Sequence, residues 1–133
     1  MPHRVVVIDD ERGLADALSI RLNAVGVAAQ PAYGGTAGLA AVRAVHPDAI
    51  VLDMRMPDMD GSEVHAAMRG DPTLSSIPVI FLSANVQDSA RHSALASGAF
   101  AYLTKPYDAR EVVSTVLEAI ASVNRKGRDS HGS

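Results

Sequence analysis

The sequence predicts an α/β protein with a doubly wound sheet of five parallel strands, built from five consecutive strand–helix pairs. Short apolar runs rich in β-branched residues alternate with longer segments in which apolar residues recur at helical spacing. Single helices between successive strands imply a parallel sheet with helices on both faces. The 133 residues, 47% of them apolar, are enough for one domain with its own core.

Composition argues against several classes of protein. A formal net charge of −3 disfavours a basic module that binds nucleic acid by itself. The absence of cysteine excludes a disulfide scaffold, a thiolate metal site and a cysteine nucleophile, and it favours a cytoplasmic location. No apolar run approaches the roughly 20 residues of a transmembrane helix, so no membrane association is expected.

The first two pairs are defined by helical periodicity and by proline. A strand over Arg4–Ile8 precedes a helix over Glu11–Val25. A strand over Val27–Ala32 contains Pro31, which places it at a sheet edge, and a helix over Thr36–Val45 follows with Thr36 as its predicted cap. The inward side chains of the two helices are predicted to be Leu14, Leu18, Leu22 and Val25, and then Leu39, Val42 and Val45.

The remaining three pairs follow the same alternation. Their predicted strands are Ala49–Leu52, Val79–Leu82 and Ala101–Leu103, and their helices are Ser62–Arg69, Val86–Ser97 and Asp108–Val123. The fourth helix has a thin apolar face, whereas the fifth carries a fuller stripe of Val113, Val116, Leu117 and Ile120. Residues 1–123 are therefore predicted to form the domain, and residues 124–133 a polar tail or the start of a linker.

Chemically useful side chains stand where four of the strands end. They are Asp9 and Asp10, Asp53, Ser83 and Lys105. The carboxyl ends of parallel strands share one edge, so these groups are expected to meet there. Clustered carboxylates either raise one another's pKa or bind a cation, and oxygen ligands suit Mg²⁺. An aspartate can also act as a nucleophile and form an aspartyl phosphate.

Four motifs containing these residues resemble the receiver domain of two-component response regulators of the chemotaxis-regulator type. The resemblance covers about residues 4–123. It implies a flavodoxin-like fold with strand order 2-1-3-4-5. The motifs are Val7-Ile8-Asp9-Asp10-Glu11, then Asp53 with Met56-Pro57 and Asp60-Gly61, then Ser83-Ala84, and finally Gly98-Ala99 with Tyr102-Leu103-Thr104-Lys105-Pro106.

The resemblance also implies a role for each matching residue. Asp53 would accept a phosphoryl group from the phosphohistidine of a histidine kinase or a histidine phosphotransfer protein. Mg²⁺, or Mn²⁺ in its place, would be held by Asp10, Asp53 and the backbone carbonyl of Arg55, with Asp9 acting through water. The other implied roles are phosphoryl binding by Ser83, Ala84 and Lys105, switching by Ser83 and Tyr102, a cis peptide bond before Pro106, and tuning of the phosphoryl lifetime by Arg55 and Asn85.

The expected output is a change in a protein-interaction surface formed by the fourth helix, fifth strand and fifth helix, with Tyr102 turning inward. A downstream protein or output domain would read that surface, and a phosphorylation-dependent homodimer through it is left open. The chain is expected to assist its own phosphorylation and dephosphorylation without being a metabolic enzyme. As an alternative, it is the receiver of a larger response regulator or hybrid histidine kinase whose output lies outside this chain.

Two other functions share this architecture. A haloacid-dehalogenase-type phosphatase would need an acidic residue two positions after Asp53, where Arg55 stands. A flavodoxin-like cofactor carrier would need a phosphate loop, which Tyr33–Gly38 resembles only superficially and after the wrong strand. The five histidines show no metal-ligand spacing and are expected at the surface.

Overall fold

A computed structural model describes the backbone of residues 2–132 and the side chains of residues 2–123. Five strands form one parallel sheet in the order β2-β1-β3-β4-β5, which confirms the predicted topology. No helix in the described part of the chain is long and apolar enough to cross a membrane. The elements are β1 (Arg4–Ile8), α1 (Arg12–Ala24), β2 (Ala28–Ala32), α2 (Gly35–Val45), β3 (Ala49–Asp53), α3 (Gly61–Arg69), β4 (Val79–Ser83), α4 (Asp88–Ala96), β5 (Ala101–Thr104) and α5 (Ala109–Gly132).

The sheet separates two hydrophobic cores. Successive side chains of a strand point to opposite faces, so Val6 and Ile8 enter one core while Val5 and Val7 enter the other. The α2, α3 and α4 helices cover the first core, and α1 and α5 cover the second. All five residues of β3 and of β4 are buried, as expected for strands covered on both faces.

Strand β2 lies at one edge of the sheet, where Pro31 was expected to place it. The missing N–H of Pro31 costs nothing at such a position. Strand β3 lies on the other side of β1 and pairs with β4, and in this pairing Asp53 is opposite Leu82. The middle of the sheet therefore ends in polar side chains that face the same edge.

The predicted apolar faces of α1 and α5 are wrong in part. Val25 ends outside α1 and is exposed, while Ala15 and Ser19 are buried. Among the α5 positions up to Val123, whose side chains are described, the buried ones are Val112, Val116, Ala119 and Ile120, and Leu117 is 42% exposed. Val112 and Ala119 take the buried places that were expected for Val113 and Leu117, so the buried stripe is rotated by about one residue from the prediction.

Helix ends also differ from the prediction. The α4 helix begins at Asp88, which leaves Val86 outside it and 71% exposed. The backbone of α5 continues to Gly132, beyond the predicted end at Val123. The proposed division between the domain and a tail at that point remains a prediction.

The N-terminus of α2 is capped from a distant loop rather than by Thr36. The first helical N–H groups are those of Gly35 and Thr36, and they donate to the Asp58 carboxylate at 3.1 and 2.9 Å. Gly34, the preceding residue, has a φ of 115° that L side chains rarely adopt. Thr36 therefore lies within the helix, and the predicted cap is wrong because Asp58 takes its place.

Candidate functional site

Three carboxylates meet at the carboxyl edge of the sheet. Asp9 and Asp10 follow β1, and Asp53 ends β3. One oxygen from each lies within 4.8 Å of the others. Asp9 and Asp53 are buried while Asp10 is exposed, so the cluster opens to solvent on one side. Carboxylate oxygens in this arrangement match the preference of Mg²⁺ for hard oxygen ligands.

Asp9 is the least solvated member of the cluster. Its side chain accepts a 2.9 Å hydrogen bond from the Glu11 N–H through Oδ1. Oδ2 is buried and has no hydrogen-bond partner among the described residues. Burial raises the pKa of Asp9 from 3.8 to about 6, and the charges of Asp53 and Asp10 act in the same direction. A buried oxygen without a donor is what a bound cation or its water would satisfy.

Lys105 connects the two buried carboxylates. Its Nζ donates to Asp53 Oδ1 at 3.1 Å and lies 3.8 Å from Asp9 Oδ2. Burial tends to lower the pKa of Lys105, but the hydrogen bond and the charges of Asp53 and Asp9 outweigh it, so the net shift is upward. The peptide bond between Lys105 and Pro106 is cis. Lys105 therefore carries a persistent positive charge directly beside Asp53.

Ser83 and Tyr102 lie on the neighbouring strands. Ser83 is buried at the end of β4, one residue beyond the position paired with Asp53, and its Oγ accepts from the Asn85 N–H at 3.1 Å. Tyr102 is only 1% exposed, and its hydroxyl donates to the Asn85 carbonyl at 2.7 Å. The Tyr102 ring already points inward in this structure, whereas the sequence led us to expect that position only after switching.

The loop after Asp53 is held tightly against the strand end. The Gly61 N–H donates to the Met54 carbonyl at 2.8 Å. A Cβ atom at Gly61 would stand 2.5 Å from the Asp53 carbonyl oxygen, so only glycine permits this approach. Asp60 then caps α3 by accepting from the Glu63 N–H at 3.0 Å. Within the loop, Arg55 is exposed, as are Ala84 and Asn85 after β4.

Sequence reasoning missed three residues near this edge. Tyr107 is partly buried, and its pKa is raised by burial and by the Asp9 charge. Asp58 joins the loop after β3 to α2 through its hydrogen bond with the Thr36 N–H. These residues are 22 positions apart, so no local sequence pattern predicts the contact. His65 is 5% exposed, so the expectation of surface histidines is wrong for this one, which packs edge-on against Phe81 in the core.

The geometry argues against both alternative functions, the flavodoxin-like cofactor carrier and the haloacid-dehalogenase-type phosphatase. The N–H groups of Gly35 and Thr36, which a phosphate loop would offer to a ligand, are already bonded to Asp58. This disfavours a cofactor site in Tyr33–Gly38. Arg55 is an exposed cation and supplies no acid beside Asp53, which disfavours the phosphatase chemistry.

Comparison with known sequences agrees with the geometry. The family described as the response regulator receiver domain matches residues 5–117. The chain is 35% identical over 122 residues to the DNA-binding dual master transcriptional regulator RpaA of Synechocystis sp., covering 92% of this chain and 51% of that protein. It is 35% identical over 116 residues to the DNA-binding response regulator MtrA of Mycobacterium tuberculosis, with 87% and 50% covered. The chain thus spans about half the length of these curated relatives.

Solved structures show the same fold. The receiver domain of the Francisella response regulator 1452 has a TM-score of 0.85 and 28% identity, covering 91% of this chain and 98% of that one. The receiver domain of a signal transduction histidine kinase from Syntrophus aciditrophicus has a TM-score of 0.83 and 27% identity, covering 92% and 93%. Similar domains therefore occur both in regulators and in a kinase.

Proposed function

This chain belongs to the response regulator receiver domain family, and from that membership we propose that Asp53 accepts a phosphoryl group from a partner's phosphohistidine. The observation that carries the proposal is the contact of Lys105 Nζ with Asp53 Oδ1 at 3.1 Å, within a cluster of three carboxylates. The chain is a signalling domain and not a metabolic enzyme. Its partner would be a histidine kinase or a histidine phosphotransfer protein.

In the proposed reaction, an oxygen of the Asp53 carboxylate attacks phosphorus while the bond from phosphorus to the donor imidazole nitrogen breaks. The electron pair of that bond returns to the imidazole, which leaves without a phosphoryl group. Lys105 would turn its ammonium from Asp53 toward the phosphoryl oxygens, and Ser83 would donate its hydroxyl to them. The backbone N–H of Ala84 would be a further donor.

The carboxylate cluster fits a magnesium ion, with Mn²⁺ as a substitute. Asp10, Asp53 and the carbonyl of Arg55 would hold the ion, and Asp9 would contact it through water. When bound, the cation supplies charge neutralisation between the carboxylates and an incoming phosphoryl group. The unpartnered, buried Oδ2 of Asp9 supports this assignment because it lacks the donor that an ordered metal water would supply.

Phosphorylation would alter the surface formed by α4, β5 and α5. Only Ala94 of α4 is buried, so little apolar contact holds that helix against the sheet. Because the Tyr102 ring is already inward, we propose that the change begins at Ser83 and passes through Asn85, whose carbonyl accepts from the Tyr102 hydroxyl. Arg55 and Asn85, both exposed beside the site, would tune access of the hydrolytic water.

The output itself is proposed to lie outside this chain. The chain covers about half of relatives named as DNA-binding regulators, and it also resembles the receiver domain of a histidine kinase. We therefore keep both contexts, a response regulator and a hybrid kinase. A cytoplasmic location and a phosphorylation-dependent homodimer through the α4–β5–α5 surface also remain predictions.

Intact-mass measurement after incubation with Mg²⁺ and a small acyl phosphate tests the assignment of Asp53. We expect one added phosphoryl group that requires Mg²⁺ and is removed by hydroxylamine. Asp53→Asn should abolish the gain, whereas Asp88→Asn, at an exposed carboxylate in α4, should leave it unchanged. Phosphorylation that persists in folded Asp53→Asn would move the acceptor elsewhere. No gain even from a phosphorylated kinase would refute the proposal.

A further inference from the structure

A cleft of about 360 Å³ lies between α3 and α4. It borders the carboxylate cluster and shares Arg55, Ser83 and Asn85 with the proposed phosphoryl site, but none of the three clustered carboxylates lines it. Its floor is formed by Phe81 and Ser83 of β4 and by Tyr102 of β5. Cavities that hold small organic molecules are typically roughly 300–1,000 Å³. The cleft is thus large enough for a compact ligand of one or two rings.

The inner part of the cleft is aromatic. Phe81 and Tyr102 are each 1% exposed, and the His65 ring packs edge-on against Phe81, with centroids 5.4 Å apart and planes at 80°. Ala90 and Ala94 of α4 complete this wall with small side chains. Such a surface favours a flat apolar body, because aromatic rings pack edge to face or in offset stacks.

His65 adds polar atoms that have no partner. It lines the cleft and is 5% exposed, and among the described residues neither ring nitrogen forms a hydrogen bond. Neither nitrogen is fully buried, so both are accessible to an occupant or to solvent. Burial lowers the pKa of His65, and the nearby positive charge of Arg69 lowers it further. The neutral imidazole therefore offers one donor and one acceptor to whatever occupies the cleft.

The rim of the cleft is positively charged. Arg55 and Arg69 both line it, and no aspartate or glutamate does. Among residues with described side chains, neither guanidinium forms an ion pair. Further hydrogen-bond donors are the Ser93 hydroxyl and the Asn85 side-chain amide, whereas the Ser62 and Ser97 hydroxyls already donate to Asp60 and to the Ala94 carbonyl. This combination selects an anionic group over a neutral or cationic one.

We propose that the α3–α4 cleft is a binding site for a small aromatic carboxylate. The ring would lie against Phe81 and His65, and the carboxylate would face Arg69. Because Ser83 and Tyr102 form part of the floor, an occupant would contact the segment that joins the carboxylate cluster to α4. The binding itself does not depend on phosphorylation, so it can be tested on the unmodified protein without Mg²⁺.

The test is an NMR titration of the full, isotope-labelled chain with 2-naphthoate. We expect saturable shifts centred on the His65, Phe81 and Tyr102 rings. Arg69→Gln should weaken the affinity about 3- to 10-fold, as expected for loss of one charge-assisted contact. The matched control is Arg91→Gln on α4, which removes an exposed charge outside the cleft and should change little. The uncharged analogue 2-naphthalenemethanol should bind the wild type more weakly than naphthoate does.

A blocking pair checks the location independently. Ser93→Trp should fill the mouth of the cleft and abolish the shifts, whereas Ser89→Trp, on α4 but outside the cleft, should not. Amide spectra of each variant show whether it is folded. Three results would overturn the proposal: no saturable binding at millimolar naphthoate, equal affinity in folded Arg69→Gln, or shifts centred instead on Ile20 and Leu117 in the groove between α1 and α5.

Discussion

Replacing Asp9 by Asn should stabilise the metal-free protein near neutral pH. The Asp9 side chain is buried, and burial raises its pKa from 3.8 to about 6. Since one pKa unit corresponds to about 1.36 kcal/mol, an ionised Asp9 destabilises the native state by up to about 3 kcal/mol above that pKa. Asn retains an acceptor for the Glu11 N–H without the charge. We therefore expect the free energy of unfolding to rise by about 1–3 kcal/mol.

The pH dependence fixes the sign of this effect. The native state binds the Asp9 proton more tightly than the unfolded state, so the wild type loses stability as pH rises from 3.8 through about 6. The advantage of Asp9→Asn should therefore be small near pH 4 and full near neutral pH. Urea unfolding in the presence of a chelator, with Asp88→Asn at an exposed carboxylate of α4 as the control, measures this difference. Equal stability of wild type and Asp9→Asn at neutral pH, or an advantage independent of pH, would refute the reasoning.

Three further substitutions test other contacts at this edge. Gly61→Ala should lower the free energy of unfolding by about 1–3 kcal/mol in urea, because its Cβ would stand 2.5 Å from the Asp53 carbonyl; no change would show that the loop relaxes. Tyr102→Phe should lower the free energy of unfolding by about 0.5–1.5 kcal/mol and speed amide exchange in α4. Unchanged exchange would show that α4 is not coupled to Tyr102 through Asn85. Asp58→Ala should lower the urea midpoint by uncapping α2. Because hydrogen bonds from α2 lower the pKa of Asp58 to about 2, the wild type should lose this advantage as pH falls from 3.8 toward 2, and a difference constant with pH would contradict the assignment.

The topology and the meeting of side chains at one edge could be predicted because both depend on periodicity along the chain. Alternation of strand and helix patterns fixes the parallel direction, and the parallel direction places Asp9, Asp53 and Ser83 at the same ends of their strands. The prediction that these residues share one sheet edge depends on strand direction alone and not on the conformation of any side chain. It therefore survives errors of one residue in the helix faces, such as the misplaced Leu117.

The features that escaped prediction depend on contacts between distant residues. Asp58 caps α2 only because the loop after β3 passes the start of that helix, and Thr36 looked like a sufficient local cap. The burial of His65 depends on its packing against Phe81, which belongs to another element. Likewise, the inward position of Tyr102 is held by a carbonyl of the β4–α4 loop. Sequence patterns report which face a residue occupies, whereas these contacts depend on how two elements approach each other.

The carboxylate cluster holds more negative charge than its single neighbouring cation can balance. Asp9 has a buried oxygen without a donor, and its pKa is raised by burial, while a single Lys105 ammonium serves both Asp9 and Asp53. One positive charge cannot neutralise three carboxylates that lie within 4.8 Å of one another. A divalent cation would remove this imbalance, so added Mg²⁺ should raise the free energy of unfolding of the wild type more than that of Asp9→Asn. If both proteins gained equally in urea unfolding, Asp9 would not belong to the metal site.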